Sequence, residues 1–381
     1  MNWLRSGRKN PEPRNTKRPV WKCLIPVIIV LVIGLPCTKA WAQGCIVARS
    51  TQQVINPLSS TSEGIVKPEN QGGYLAPHQW ELTIGFRHQY SFKHFVGSTE
   101  QEYRAQQQSE VRNKINLPDF NITYQATARW SFSGDVPVLF ATRRGESSTI
   151  EYASQGLGDT ILTAQSWIWS PTKPHRGNIS IGFGTQLPTG RDDVQNTVLV
   201  GTTRETVPVD FSIQPGQGGW GIVGQFQAFH LAGKKGVFYA DGSYIANPQD
   251  TNGVDSEHTY PLSIGPEDGY NSITDEYLAE AGYAYPVGWI RGLVLTFGPR
   301  DEGVPVRDIF GKSDGFRRPG YAISLEPGLI YSHGKDMFTF SVAGAMYRTR
   351  ERNVPEIAAG IPGGDAAFAD YVWLASFSHF F

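Results

Sequence analysis

Three sets of residues in this 381-residue chain could carry chemistry. The first is glycine-rich: Gly156-Leu157-Gly158-Asp159, Gly182-Phe183-Gly184 and Gly216-Gln217-Gly218-Gly219-Trp220-Gly221. A phosphate cradle needs such a loop between a strand and a helix, and no helical period follows any of the three. They read instead as tight bends at a rim, where only glycine accepts positive φ. The second set is the eight histidines. No pair shows metal-ligand spacing, and neither His230 nor His379 has a serine and an orienting carboxylate or amide in its own segment. No catalytic residue, metal or cofactor is expected. The third set is charged: Glu81, Asp119, Asp135, Asp159, Asp241, Glu276, Glu280 and Glu326, with Arg87 and Arg291. Each falls at an alternate position of a segment whose other positions are apolar. Eight acids against two bases on one face would line a solvated path favouring cations or neutral polar solutes. The same groups could equally hydrate or pair inside a closed lumen.

The elements that must position them follow from the rhythm. Trp80, Leu82, Ile84 and Phe86 alternate with Glu81, Thr83, Gly85 and Arg87, and Phe120, Ile122 and Tyr124 with Asn121, Thr123 and Gln125. A period of two places successive side chains on opposite faces of a strand. Continued along the chain, it predicts strands at 79–91, 115–126, 129–142, 159–169, 178–187, 221–231, 236–247, 273–285, 289–299, 320–332, 336–348 and 370–381. Pro118, Pro137 and Pro327 fall inside them and should mark bulges or strand ends. Short and long connections alternate without exception, the long ones being 92–114, 143–158, 188–220, 248–272, 300–319 and 349–369. A soluble sandwich has no reason to put every long loop at one end. A membrane barrel with tight periplasmic turns and long external loops does.

Aromatic placement agrees. Trp80, Trp130, Trp167, Trp169 and Trp289 fall at the short-turn end, where indole rings suit a headgroup layer. Trp373 and the terminal Phe381 lie on the aromatic face of the last segment, the form of strand that the barrel-assembly machinery of a bacterial outer membrane receives. No backbone polar group can stay unpaired in hydrocarbon, so strands that cross a bilayer must close on themselves. The expected fold is therefore all-β: a single antiparallel transmembrane barrel of about twelve strands over 79–381.

Composition bounds the rest. Glycine (42), proline (25) and aromatics (12 %) are abundant, which excludes a helical bundle or coiled coil. Residues 1–42 hold eight of the 34 bases and one of the 35 acids, leaving an acidic remainder unsuited to nucleic acid. Within that leader, Leu24–Leu35 is an apolar run too short for a membrane helix, and Ala40-Trp41-Ala42 supplies a small-x-small site. We read 1–42 as a signal peptide cleaved after Ala42. Residues 43–78 are irregular and form either a periplasmic segment or a plug. Cys45 is then the lone mature cysteine, an unpaired thiol rather than a lipid acceptor. Arg143-Arg144, Arg317-Arg318 and the series Arg348, Arg350 and Arg352 are expected as a solvated external face, with lipid-A phosphate contact as the alternative.

Five strings occur together and in order: TARWSFSGDVPV (127–138), GLGDTILTAQSWIW (156–169), ISIGFGTQLPTG (179–190), SIQPGQGGWG (212–221) and RRPGYAISLEPGLIY (317–331). The chain thereby resembles the outer-membrane transporter family of the MetA pathway of phenol degradation. That resemblance implies a barrel in the outer membrane of a Gram-negative-type bacterium, passing small hydrophobic or aromatic compounds without energy input. Its partners would be the lipid bilayer, lipopolysaccharide and the solute. The rival is a non-conducting barrel serving as adhesin, receptor or envelope scaffold through its long loops.

Overall fold

The computed structural model describes residues 74–381 apart from 174, 234 and 257–268. The leader, its cleavage site, Cys45 and most of 43–78 lie outside these residues. Twelve staves form the barrel: β1 (Trp80–Val96), β2 (Val111–Gln125), β3 (Trp130–Gly145), β4 (Thr160–Trp167), β5 (Gly177–Leu187), β6 (Gly221–Ala232), β7 (Gly236–Ala246), β8 (Glu276–Pro286), β9 (Leu293–Val304), β10 (Gly320–His333), β11 (Asp336–Arg350) and β12 (Ala366–Phe380). Each pairs antiparallel with its sequence neighbours, and β12 pairs with β1 to close the cylinder. The expected number, order and approximate limits of the strands are all met.

The alternation also sorts the faces. On β1, Trp80, Leu82, Ile84, Phe86 and Tyr90 point out, while Thr83, Arg87, Gln89 and Ser91 are buried inside. The staves run further into the external loops than the hydrophobic pattern alone suggests. β9 continues through Arg300 and Glu302 to Val304, and Glu151–Leu157 prolongs β4 by pairing with β3. Polar residues occupy these extensions, so an apolar rhythm stops short of them.

Two prolines behave differently from expectation. Pairing is skipped around Pro118 and Pro327, yet the register on either side is unchanged. The true register shifts lie at Gln89/Ser91, Ser91/Lys93 and Ile323/Ser324. Gly182 and Gly184 are likewise not rim bends. They sit within β5 on its inward face, where a Cβ would strike Gln225 or the Leu162 carbonyl and Thr163. No helix among the described residues is long and apolar enough to cross a membrane.

Candidate functional site

The lumen has three zones, each set by which inward positions are charged. A strut crosses it at the height where Arg87 stands opposite Leu117. Arg87 on β1 donates to both carboxylate oxygens of Glu302 on β9, at 3.0 and 2.6 Å, and to Gln89 at 3.0 Å. β1 and β9 are not neighbours in the sheet, so this bidentate pair bridges the cavity instead of stapling adjacent staves. Glu302 also takes Arg300 at 3.0 Å, and Arg300 reaches Glu280 on β8 at 3.3 Å and Glu326 on β10 at 3.4 Å. Asp241 on β7 stands opposite Glu280 in register. The side chains of Arg87, Arg300 and Glu302 are at most 6 % exposed. Charges buried to this degree persist only when paired. Of the eight carboxylates expected on the inward face, Glu280 and Glu326 are thus paired, both with Arg300. On the opposite side, Asp119 and Asp135 sit buried on the inward faces of β2 and β3.

The periplasmic zone is apolar. Val237, Ala284, Val294, Ile330 and Met337 form a buried inward-facing cluster, with Phe229, Leu231, Tyr239 and Phe380 packed on it. Trp167 belongs beside them and not at the lipid interface where the sequence reading put it. It is 6 % exposed, meets Tyr74 edge-on at 4.9 Å and Phe229 at 6.1 Å. Its odd number decides this, because β4 turns its odd positions inward with Asp159, Thr163 and Gln165. Tyr74, the first described residue, also accepts a hydrogen bond from Asn178 at 2.9 Å, so the end of the 43–78 segment enters this mouth. Glu81 faces inward nearby and accepts from Thr83 at 3.4 Å. Trp80, Trp130, Trp169 and Trp289 are exposed at this end, Phe381 is exposed at the chain terminus, and Trp373 points outward higher up, opposite His88. Arg291, expected on the inward face of a strand, lies instead exposed in the turn between β8 and β9, one residue from Gly292 at φ +84°.

The external zone is closed by the connection 188–220. Its short 3₁₀ turn, Phe211–Ile213, and Val209 fold into the barrel and pack on Ile115 and Leu117 of β2 and on Leu139 and Ala141 of β3. Val209, Ile213 and these four barrel residues are each at most 4 % exposed, and Phe211 is half-buried. Asp210 fastens the turn. It accepts two hydrogen bonds from Arg318, at 2.9 and 2.6 Å, pairs with Arg143 of β3 at 3.2 Å, and caps Ser212. Burial alone would raise its pKa, but the two guanidiniums hold it well below the usual carboxylate range. Arg318 in turn stacks over Phe211 and Phe316, 4.8 and 5.3 Å from their ring centres.

The most distinctive sequence strings meet at the root of this turn. Asp159, from GLGD, accepts from the Gly190 N–H at 3.0 Å, the Gln217 N–H at 2.8 Å and Gln186 at 3.1 Å. Gln217 then donates to Glu276 at 2.6 Å and accepts from the Thr274 N–H at 2.8 Å. Asp159 and Glu276 are therefore anchors of the loop, not solute-facing charges. A Cβ on Gly216 would press on the Gly190 carbonyl and come within 2.8 Å of Asp159. Gly216→Ala should destabilise the fold by about 1–3 kcal/mol and make 188–220 cleavable by trypsin in the folded protein. Unchanged protection would show that the glycine contact is dispensable.

Three of the seven arginines expected on a solvated face are buried. Arg317 pairs with Asp308, Arg318 with Asp210, and Arg350 with Glu356 at 3.0 Å, all at most 4 % exposed. Asp275 accepts from the backbone N–H groups of Asn247 and Ile309 at 2.6 and 2.8 Å, and burial raises its pKa. Carboxylate-to-backbone bonds of this kind stitch the external loops to one another. No group of three or more metal-ligating side chains occurs among the described residues.

No family model matches the sequence, and no curated protein matches it. Among solved structures the chain is similar to the COG4313 outer membrane channel from Pseudomonas putida F1, with a TM-score of 0.54 and 14 % identity over 83 % of this chain and 100 % of that one. Lower similarity is found to a FadL homologue of Pseudomonas aeruginosa (TM-score 0.39, 8 % identity, 89 % and 99 % covered) and to the CymD monoaromatic hydrocarbon channel (TM-score 0.38, 10 % identity, 89 % and 97 % covered). The fold is that of a closed outer-membrane barrel.

Proposed function

We propose that this chain is a passive channel of a Gram-negative outer membrane for small apolar molecules, aromatic ones foremost. The observation that carries this reading is the distribution of apolar side chains inside the barrel. A porin lumen is polar throughout, whereas here aliphatic and aromatic groups form buried inward-facing clusters on β2–β3 and on β7–β11, beside charges that are largely paired. Burying about 100 Å² of an aromatic ring at such a cluster gains roughly 2.5 kcal/mol, an attraction no small ion shares. The first line of support from outside the chain is the shared fold with an outer membrane channel, and the five strings resembling the phenol-degradation transporters point to the same solutes. Export through a leader cleaved after Ala42, insertion by the barrel-assembly machinery, and lipid and lipopolysaccharide around the wall belong to this proposal.

Deletion of the chain in its host should slow uptake of a radiolabelled monoaromatic hydrocarbon and leave uptake of a polar solute of similar size unchanged, with plasmid-borne wild type restoring the first. Normal aromatic uptake in the deletion strain would remove the channel reading. A surface-binding activity lost on trimming the hairpin Gln195–Val200 and Thr203–Pro208 would instead support the scaffold.

A further inference from the structure

The outer wall of β1–β3 carries a charge arrangement that neither the lumen nor the loops use. Trp80, Tyr124 and Phe132 share one row across these staves and point outward, and ten residues further up Tyr90, Lys114 and Thr142 share another. Ten residues at about 3.4 Å each, on strands tilted about 40°, rise roughly 26 Å. That is the height of the apolar band of an outer-membrane barrel, about 25 Å. The upper row therefore marks the external edge of the hydrocarbon, and the next outward pair lies in the headgroup layer. That pair is Arg112 opposite Arg144.

Two like charges directly opposite each other on an antiparallel pair are destabilising unless something neutralises them. Arg112 is partly met by Glu146 at 2.5 Å and Glu110 at 3.3 Å. The side chains of Arg144 and Lys114 are exposed and make no ion pair or hydrogen bond among the described residues, although Glu151 stands opposite Arg144 in register. Lys114 and Arg144 are diagonal neighbours on one face, within about 7–8 Å of each other at the backbone, so both long side chains can reach a single anion. On β8–β10 the outward row Tyr277, Gly303 and Tyr321 carries no base, and Asp301 lies one outward position below it.

We propose that Lys114 and Arg144, flanked by Arg112, form a binding site for the phosphate of an anionic outer-leaflet lipid headgroup. The lipid source, rather than free phosphate, follows from height: the site opens sideways at the membrane surface, directly above a lipid-facing apolar wall into which acyl chains would pack. It is independent of whether any solute crosses the lumen.

The test uses full-length protein purified from membranes, titrated in detergent with diphosphorylated lipid A and followed by mass spectrometry of the intact complex. Wild type should hold the lipid in a salt-sensitive manner. Each lost base should weaken binding about fivefold, and Lys114→Gln with Arg144→Gln about 30-fold. Lys335→Gln, a base in the turn at the opposite end, should change nothing. If the double variant does not fold, Lys114→Arg with Arg144→Lys should retain binding. Equal binding of dephosphorylated lipid A, unaltered binding by the double Gln variant, or equal competition by inorganic phosphate would each overturn the proposal.

Discussion

In an Asp210→Ala variant, the connection 188–220 is expected to leave the lumen while the twelve staves remain folded. Asp210 is the one carboxylate between Arg318 and Arg143 at this point, with bonds of 2.6, 2.9 and 3.2 Å. Its removal takes from the buried Arg318 and the half-buried Arg143 the carboxylate they share. Breaking a buried pair by deleting one partner destabilises by about 3–5 kcal/mol, against an apolar contact between the turn and Ile115, Leu117 and Leu139 of similar size. The loss should act on the turn rather than the barrel, because no ladder hydrogen bond involves Asp210. Proteolysis at 188–220 in the folded protein should rise by two orders of magnitude or more, while the melting temperature of the barrel moves little. The pH dependence follows from the sign of the shift. A carboxylate held low in the folded state contributes fully above its unfolded value, about 3.9, and loses that contribution only as pH falls through the lowered folded value. Wild type should consequently keep 188–220 protected from pepsin at about pH 3.5. Cleavage there equal to that of Asp210→Ala would contradict the fastening role.

The second large effect concerns the strut. Glu302→Leu should destabilise the barrel itself by about 3–5 kcal/mol, read as a shift in the urea midpoint of the refolded protein. Arg300 keeps Glu280 and Glu326, but Arg87 keeps only Gln89. Arg87→Leu alone should cost less, since Glu302 still has Arg300. The double variant Arg87→Leu with Glu302→Leu should be more stable than Glu302→Leu alone, because no unpaired buried charge remains. Two single effects that simply add would mean that the bridge across the cavity contributes no coupling.

The barrel was legible because its cause is local. Lipid on one side and lumen on the other force a period of two, and that period is visible wherever one face is apolar, as from Trp80 to Phe86. It fades where both faces are polar, which is why β9 read as ending at Pro299. Parity continued two more steps, from Val294, Thr296 and Gly298 to Arg300 and Glu302, would have found the strut's far end. Trp167 shows the converse error: an indole near a turn suggests an interface, but its odd position places it with Thr163 and Gln165 inside. The inward turn left little trace in the sequence. Asp210, Arg143 and Arg318 are far apart in the chain, and a loop arginine looks the same in sequence whether it is hydrated or buried. Only the glycines of GLGD, LPTG and PGQGG hinted at it, through a close approach that spacing alone does not reveal.

The proposed passage of solutes needs a path through the lumen that the buried turn Phe211–Ile213 shuts at the external side. Single-channel recording in a planar bilayer addresses that directly, comparing wild type with Asp210→Ala. Wild type should be nearly silent, and the variant should open in discrete steps of uniform size. A variant as silent as wild type, or a wild type already freely conducting, would contradict it.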